Sequence, residues 1–307
     1  MGGPAFGRGL PATRRIASAW RRPRAEIGFA FGARVNLLLI VVVVLGAVAI
    51  GVGLMYAVRH VATPDAFRAD ITRETAATFG VVGTAFAVLL AFVVFVGFQS
   101  YASARDAAAS EASAVTTMFR TAMFWGPKQR DELQGQLACY ARAVVRDDWP
   151  RMAHEKSSAI VDEWRLDLEA TIRRLDLRTA AQRAAFSQLL DERDVRSDAR
   201  RKRLLEASPL VSSPVWLILA FGAVATVCFV LLFTDRRQPF SGQAVLIGVV
   251  SAVVAASLLL VWLLDHPYEG KSGSIKPTEM QRTIASMGRE APALSSPCDE
   301  SGTPQAR

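Results

Sequence analysis

The chain has 307 residues, of which 51% are hydrophobic and 21% are charged, and its formal net charge is +8. Four stretches of 24 to 30 residues contain no Asp, Glu, Lys or Arg, at 35–58, 75–104, 207–234 and 238–264. As a helix, even the shortest would extend about 36 Å, whereas a hydrocarbon core is about 30 Å thick. The pattern excludes an ordinary soluble enzyme, and the composition excludes collagen-like, disulfide-scaffold and fully disordered chains.

Residues 1–34 form a basic tail with seven Arg and one Glu. Five of these arginines flank Trp20, namely Arg14, Arg15, Arg21, Arg22 and Arg24. Such a cluster serves as a signal for membrane orientation, and it also gains about 1 kcal/mol per residue beside anionic lipid. We expect these five side chains to contact anionic lipid. No nucleic-acid-binding fold accompanies the cluster, so we expect no nucleic-acid partner.

The charge-free stretches divide the chain into five parts. We predict a basic cytoplasmic tail at 1–34, a transmembrane helix pair at 35–104, a cytoplasmic helical domain at 105–206, a transmembrane hairpin at 207–265 and a largely disordered cytoplasmic tail at 266–307. Spanning segments must satisfy their own backbone hydrogen bonds in lipid, which favours helices. The predicted fold is therefore an all-α integral membrane protein with four transmembrane helices in two pairs flanking a cytoplasmic helical domain.

Lys and Arg placement predicts the orientation. With the N-terminus inside, the inner segments hold 31 basic residues and the outer loops hold 5. Tyr101, Trp216 and Trp262 then lie near the inner ends of helices, as in an interfacial aromatic belt. We expect a multi-pass protein of the inner (plasma) membrane with both termini in the cytoplasm.

The middle segment, 105–206, is predicted to be helical, with apolar residues at spacings of three and four. Cys139 and Trp149 are expected to pack inside this small bundle. The acidic pair Asp147 and Asp148, together with His154, has two interpretations: an acid/base or cation cluster, or a solvated polar face. The second is favoured, because charge runs usually face water.

No motif indicates catalysis or cofactor binding. The three histidines are far apart in sequence and form no metal-ligand spacing, and no Walker A sequence is present. The three cysteines, Cys139, Cys228 and Cys298, are odd in number, and Cys228 falls in a predicted span, so we expect no disulfide. We therefore expect no metal, no cofactor and no enzyme.

Four stretches resemble a bacterial membrane-protein family that is described as bestrophin-like and defined by a domain of unknown function. They are QSYASARDAAASEAS at 99–113, YARAVVRDDWP at 140–150, DARRKRLL at 198–205, and LDHPYEG at 264–270 followed by IKP at 275–277. The resemblance covers roughly residues 36–285. His266 and Tyr268 depart from it, since Arg and Phe would be expected at those positions. The resemblance implies a helix pair, a cytoplasmic helical insert and a second helix pair, and a relation to bestrophin anion channels.

The predicted spans contain no ionisable group of the kind that carriers and proton pumps need. Four helices are too few to enclose a path in one chain, so a conduction path would lie on the axis of a homo-oligomer. Phe92, Phe95 and Gln99 share one face of the second helix and are the predicted pore-lining residues, since bulky apolar rings can gate by dewetting. The alternative is that these rings face lipid or neighbouring helices.

Gly80, Gly83 and Ala87 form a small-residue face that suits close helix packing and oligomerisation. Two functions stay open. The first is a bestrophin-like channel that passes inorganic ions. The second is a membrane-anchored interaction or regulatory protein that does not conduct.

Overall fold

The computed structural model describes residues 26–61, 65–232, 239–270 and 273–305, without the side chains of 26–37, 61 and 65–79. Within these ranges every extended regular element is a helix. The helices are α1 Glu26–Val61, α2 Asp65–Thr121, α3 Pro127–Ala143, α4 Trp149–Met152, α5 Ala159–Arg173, α6 Ala180–Leu205, α7 Ser213–Leu232, α8 Phe240–Asp265 and α9 Thr278–Glu290.

Four helical segments are long and apolar enough to cross a membrane: Leu38–His60, Gly80–Phe124, Ser213–Leu232 and Phe240–Asp265. They confirm the four predicted spans. Only 11–22% of each apolar window is buried inside the single chain. The α8 helix packs against α1, α2 and α7. Most of the apolar surface of the four helices therefore remains for lipid or for other copies of the chain.

The α2 helix continues far beyond its apolar part, as the Ala-rich sequence after Gln99 predicts. Its 57 residues extend about 85 Å. A 3₁₀ turn at Ala122–Phe124 ends it, and Gly126 and Pro127 then begin α3, with Pro127 in the first turn, where its missing N–H costs nothing. One rigid helix thus belongs to both the membrane-spanning part and the following domain.

The second half of α2 is the centre of a helical domain. It packs against α6 and α9, while α3 packs against α5 and α9. A row of α2 side chains at spacings of three and four is buried there: Ala104, Ala108, Ala112, Val115 and Phe119. Cys139 and Trp149 are buried in the same core, which confirms their predicted packing. The domain is held by one contiguous apolar core.

The tail after Met287 differs from the predicted disorder. Through residue 305 it lies against α3 and α5. The indole N–H of Trp164 donates to the Gly302 carbonyl at 2.6 Å, and the Asp299 carboxylate accepts from the backbone of Ser301 and Thr303. Pro, Gly and Ser in this tail build a tight turn on a helix surface, and composition alone does not separate such a turn from disorder.

The expectation that no disulfide forms is also wrong. Cys139 of α3 and Cys298 of the tail are bonded, with an S–S distance of 2.04 Å and a sequence separation of 159 residues. Cys228 is free and exposed. An odd count excludes complete pairing but permits one pair, and only the folded tail brings these two residues together.

The docked tail requires a glycine at position 302. Its φ is +84°, and a Cβ atom there would overlap the backbone of Ala143. We predict that Gly302→Ala releases the tail once the Cys139–Cys298 bond is reduced, because the left-handed backbone alone costs about 1–2 kcal/mol for an L-residue. Trypsin cleavage after the exposed Arg289, followed by mass spectrometry, measures the release. Gly288→Ala is the control, since a Cβ there meets no atom within 4 Å. Equal cleavage rates in both variants would contradict the docking.

Candidate functional site

The predicted pore-lining residues occupy an exposed face of α2. Phe92 and Phe95 are 63% and 58% exposed, and Gln99 is also exposed. Val81 and Val88 extend this face by about three turns in the N-terminal direction. In the domain the same face continues as exposed polar residues, namely Asp106, Ser110 and Ser113. We call this face the α2 stripe; it changes from apolar to polar along the helix.

The opposite face of α2 packs against α7 and α8. Val93 is buried with Leu219 and Val261, and Phe86 lies on Gly222 so closely that a Cβ there would overlap its ring. A Cβ at Gly97 would lie 3.3 Å from the Cβ of Leu264. These contacts fix the rotation of α2 about its own axis. The stripe is therefore left free of contact with α7 and α8.

The predicted small-residue face makes little contact within the chain. A Cβ at Gly80 would meet no atom within 4 Å, Ala87 is exposed and Gly83 is half-buried. Close packing inside the chain instead uses Gly97 and Gly222, and also Gly51, where a Cβ would overlap the Ser251 hydroxyl. The small face remains available for contact with another copy. Arg14, Arg15, Arg21, Arg22 and Arg24 lie outside the described residues.

A charged cluster is buried in the core of the helical domain. Arg203 of α6, Glu111 of α2 and Asp148 have fully buried side chains. The Arg203 guanidinium donates to the Glu111 carboxylate at 2.7 Å and to the Asp148 carboxylate at 2.7 Å. Tyr140 donates to Glu111 at 2.7 Å, and Arg200 lies 3.6 Å from the Asp148 carboxylate. We call these five residues the ionic cluster.

The ionic cluster corrects the prediction of a solvated face at Asp147 and Asp148. Asp147 is partly exposed and pairs with Arg151, but Asp148 is fully buried. A π-helical turn at Val144–Asp148 follows α3 and directs Asp148 inward. Its carboxylate also accepts the backbone N–H of Ser158 at 2.8 Å. Adjacent acidic residues in a sequence do not reveal which of them points into the core.

The cluster keeps its charges because each one has a partner. Burial opposes the charge of Arg203, but Glu111 and Asp148 outweigh that effect and raise its pKa. Burial raises the pKa of the Tyr140 hydroxyl, and the Glu111 carboxylate raises it further. Tyr140 therefore stays protonated and donates its hydrogen bond at physiological pH.

Three of the four stretches that carry the sequence resemblance supply the ionic cluster, and the fourth packs beside it. Glu111 belongs to the first, Tyr140 and Asp148 to the second, and Arg203 to the third. The fourth contributes Tyr268, whose ring packs edge-on against Trp149 at 5.5 Å. The indole of Trp149 also donates to the Ile275 carbonyl, at 3.2 Å. No single motif indicates the cluster in the sequence, but the set of four stretches marks its location.

A second polar joint ties α2 to the end of α6. The hydroxyls of Ser100 and Ser103 both donate to the Glu206 carboxylate, the latter at 2.8 Å. Nearby, the Asp265 carboxylate at the end of α8 accepts the backbone N–H groups of Leu210 and Val211 at 2.7 and 2.8 Å. The middle of α2 is thereby fastened to the end of α6, and the end of α8 is fastened to the approach to α7.

We predict that Arg203→Met destabilises the protein by about 3–5 kcal/mol, because it leaves the buried Glu111 and Asp148 carboxylates without their cation. Arg201→Met is the matched control on the same helix. Its side chain is 73% exposed and pairs with the exposed Asp198, so we expect a change within about 1 kcal/mol. Thermal unfolding in detergent, followed by circular dichroism, measures both. Equal stability of the two variants would contradict the role given to Arg203.

Comparison with known proteins identifies the family of this chain. The family model of the bestrophin-like domain matches residues 27–280. Two crystal structures of a bacterial bestrophin homologue from Klebsiella pneumoniae, each carrying a single substitution, align with TM-scores of 0.61 at 14% identity, covering 80% and 81% of this chain and 98% and 99% of theirs. A crystal structure described only as a membrane protein aligns with a TM-score of 0.60 at 14% identity, covering 85% of this chain and all of its own. No curated protein matches. This chain is a membrane protein that belongs to the bestrophin-like family.

Proposed function

We propose that several copies of this chain assemble into a membrane channel for inorganic ions, with the α2 stripe lining the conduction path. The observation that carries the proposal is the continuity of the stripe. Exposed apolar residues from Val81 to Phe95 and exposed polar residues from Gln99 to Ser113 share one side of a single helix. A face directed only at lipid has no reason to continue into the domain beyond the membrane.

The composition of the stripe suits a gated path. Rings at Phe92 and Phe95 would form an apolar constriction in an oligomer, where a narrow pore empties of water and blocks ions. Gln99 and Asp106, further along the helix, offer polar groups to an ion that has passed. The four charge-free stretches contain no Asp, Glu, Lys or Arg that could carry an ion through the interior of one chain. A route through one chain alone is therefore unfavourable.

The geometry of α2 supports assembly. At 100° per residue, the face packed on α7 and α8, the small face at Gly80, Gly83 and Ala87, and the stripe lie about 90–140° apart around the helix. Each face can therefore have a different neighbour. The packed face contacts the same chain, the small face allows a second copy to approach closely, and the stripe faces the common axis.

We place the protein in the inner (plasma) membrane, with the helical domain and both termini in the cytoplasm. The four membrane-spanning helices would form two pairs that flank the domain. The excess of basic residues in the inner segments supports this orientation. The Glu206 and Asp265 joints support the arrangement of the helices, because they tie α2 near Ser103 to the end of α6 and the end of α8 to the approach to α7. The proposal includes a lipid bilayer and further copies of the chain as partners, and it includes no cofactor, nucleic acid or catalytic step.

We predict that Phe92→Ala and Phe95→Ala change single-channel current or open probability at least several-fold in planar bilayers, since removal of a ring widens and wets an apolar constriction. Phe221→Ala on α7 is the matched control. Its side chain is 74% exposed and lies outside the stripe, so we expect it to behave like the unmodified protein.

Mass photometry of the same preparations establishes whether the protein is oligomeric. A monomer without current across a wide range of ions and pH would contradict the channel and favour the membrane-anchored interaction protein. Equal effects of Phe92→Ala and Phe221→Ala would contradict the pore position of the stripe.

A further inference from the structure

A pocket of about 360 Å³ opens on the domain surface between α5 and α6 and is lined by four arginines. Arg165 comes from α5, and Arg196, Arg200 and Arg201 come from α6. Tyr140 forms part of its floor and Leu204 and Leu205 part of its wall. We call it the arginine pocket. It lies on the outer side of the ionic cluster, with which it shares Arg200 and Tyr140.

Arg196 is the unusual member of the arginine pocket. Only 1% of its surface is exposed, yet among the described residues no carboxylate lies within 4.0 Å of its guanidinium. Within the described part of the chain, its Nε has no hydrogen-bond partner, and the guanidinium makes one hydrogen bond, a 3.5 Å contact from Nη2 to the Ser197 hydroxyl. The guanidinium stacks over the Tyr140 ring at 4.9 Å. A stacked ring partly compensates a buried cation, but it does not replace an anion.

The neighbouring arginines have carboxylate partners, but some of their N–H donors remain without a hydrogen bond. Asp162 accepts from Arg200 at 2.8 Å and lies 3.8 Å from Arg165, so one carboxylate serves two guanidinium groups. Asp198 pairs with Arg201 at 2.7 Å. Arg200 keeps two buried nitrogen atoms, Nε and Nη2, without hydrogen bonds. Together with Arg203, five guanidinium groups stand against four carboxylates, those of Glu111, Asp148, Asp162 and Asp198. One positive charge is therefore not balanced within this group, and it is that of Arg196.

We propose that the arginine pocket binds a phosphate group. Guanidinium-bearing side chains from two helices line the space, and planar guanidinium groups match tetrahedral oxyanions through paired N–H donors. The pocket also has an apolar wall, at Leu204 and the 69% exposed Leu205. Leu205 directly precedes Glu206, whose carboxylate meets Ser100 and Ser103 of α2. The pocket therefore lies beside the junction with the membrane-spanning part.

Two sources could supply this phosphate. One is the headgroup of an anionic lipid whose chains stay in the bilayer, and the other is a soluble phosphate compound. Either would give Arg196 the counter-charge that the described residues do not supply. The site is independent of ion conduction, and its test does not require current.

The experiment measures thermal unfolding of the full chain with two probes. Inorganic phosphate in detergent is compared with chloride at equal ionic strength, and nanodiscs with phosphatidic acid are compared with pure phosphatidylcholine. At saturation a bound phosphate raises the unfolding midpoint by about 3 °C or more. Arg196→Met and Arg165→Met should weaken this response at least about 10-fold in apparent affinity, because each removes a charged hydrogen-bond donor. Arg178→Met, with an 81% exposed side chain elsewhere, should respond like the unmodified protein.

Without either probe, Arg196→Met should fold and be as stable as the unmodified protein, since it removes a buried charge that has no carboxylate partner. A response to phosphate identifies a soluble source, and a response to phosphatidic acid alone identifies a lipid. No response to either probe overturns the proposal. So does a full response in Arg196→Met. A loss of oligomeric mass in Arg196→Met without any probe effect would show instead that a carboxylate of a second copy fills the pocket.

Discussion

The buried ion pairs of Arg203 with Glu111 and Asp148 are the constraint on which the arrangement of this protein depends. Taking three charged groups out of water costs several kcal/mol for each, and attraction offsets that cost only when all three are correctly placed. Their distances of 2.7 Å meet that condition. Glu111 lies on the helix that crosses the membrane, Arg203 lies on α6, and Asp148 follows α3. The cluster therefore fixes the register of α2 against the domain. Packing of the small alanine side chains alone does not select one register in this way.

Because α2 is one helix, this constraint reaches the membrane. Glu111 and Phe92 are 19 residues apart, or about 28 Å along the axis. Between them, Ser100 and Ser103 bind Glu206, which follows α6. A rotation or shift of α2 as a whole would break the Glu206 joint and then separate Glu111 from Arg203. Movements of the stripe relative to the domain are thus confined to the part of α2 that precedes Ser100, or to the side chains themselves.

The sequence predicted the features that depend on local composition. The four spans follow from stretches without charge, and the long α2 follows from an Ala-rich run that ends at Gly126 and Pro127. It did not predict which charges are buried, because Asp148 and Arg203 are 55 residues apart and only the fold joins them. The docked tail and the Cys139–Cys298 bond were missed for the same reason, since they depend on contacts across 159 residues. The stretches that carry the resemblance contain all five residues of the ionic cluster, but the sequence does not show that they meet.

The Cys139–Cys298 bond is an argument against the proposed cytoplasmic orientation, because thiols in the cytoplasm are normally kept reduced. The seven arginines before the first span, and Arg200, Arg201, Lys202 and Arg203 before α7, favour the proposed cytoplasmic domain, since orientation during insertion is set by Lys and Arg close to the spans. The tail does not depend on the sulfur atoms alone. Trp164 binds Gly302, the Asp299 turn is closed by its own hydrogen bonds, and both cysteines are buried. A reduced pair would keep the same contacts, so the docked tail and the cytoplasmic domain are compatible.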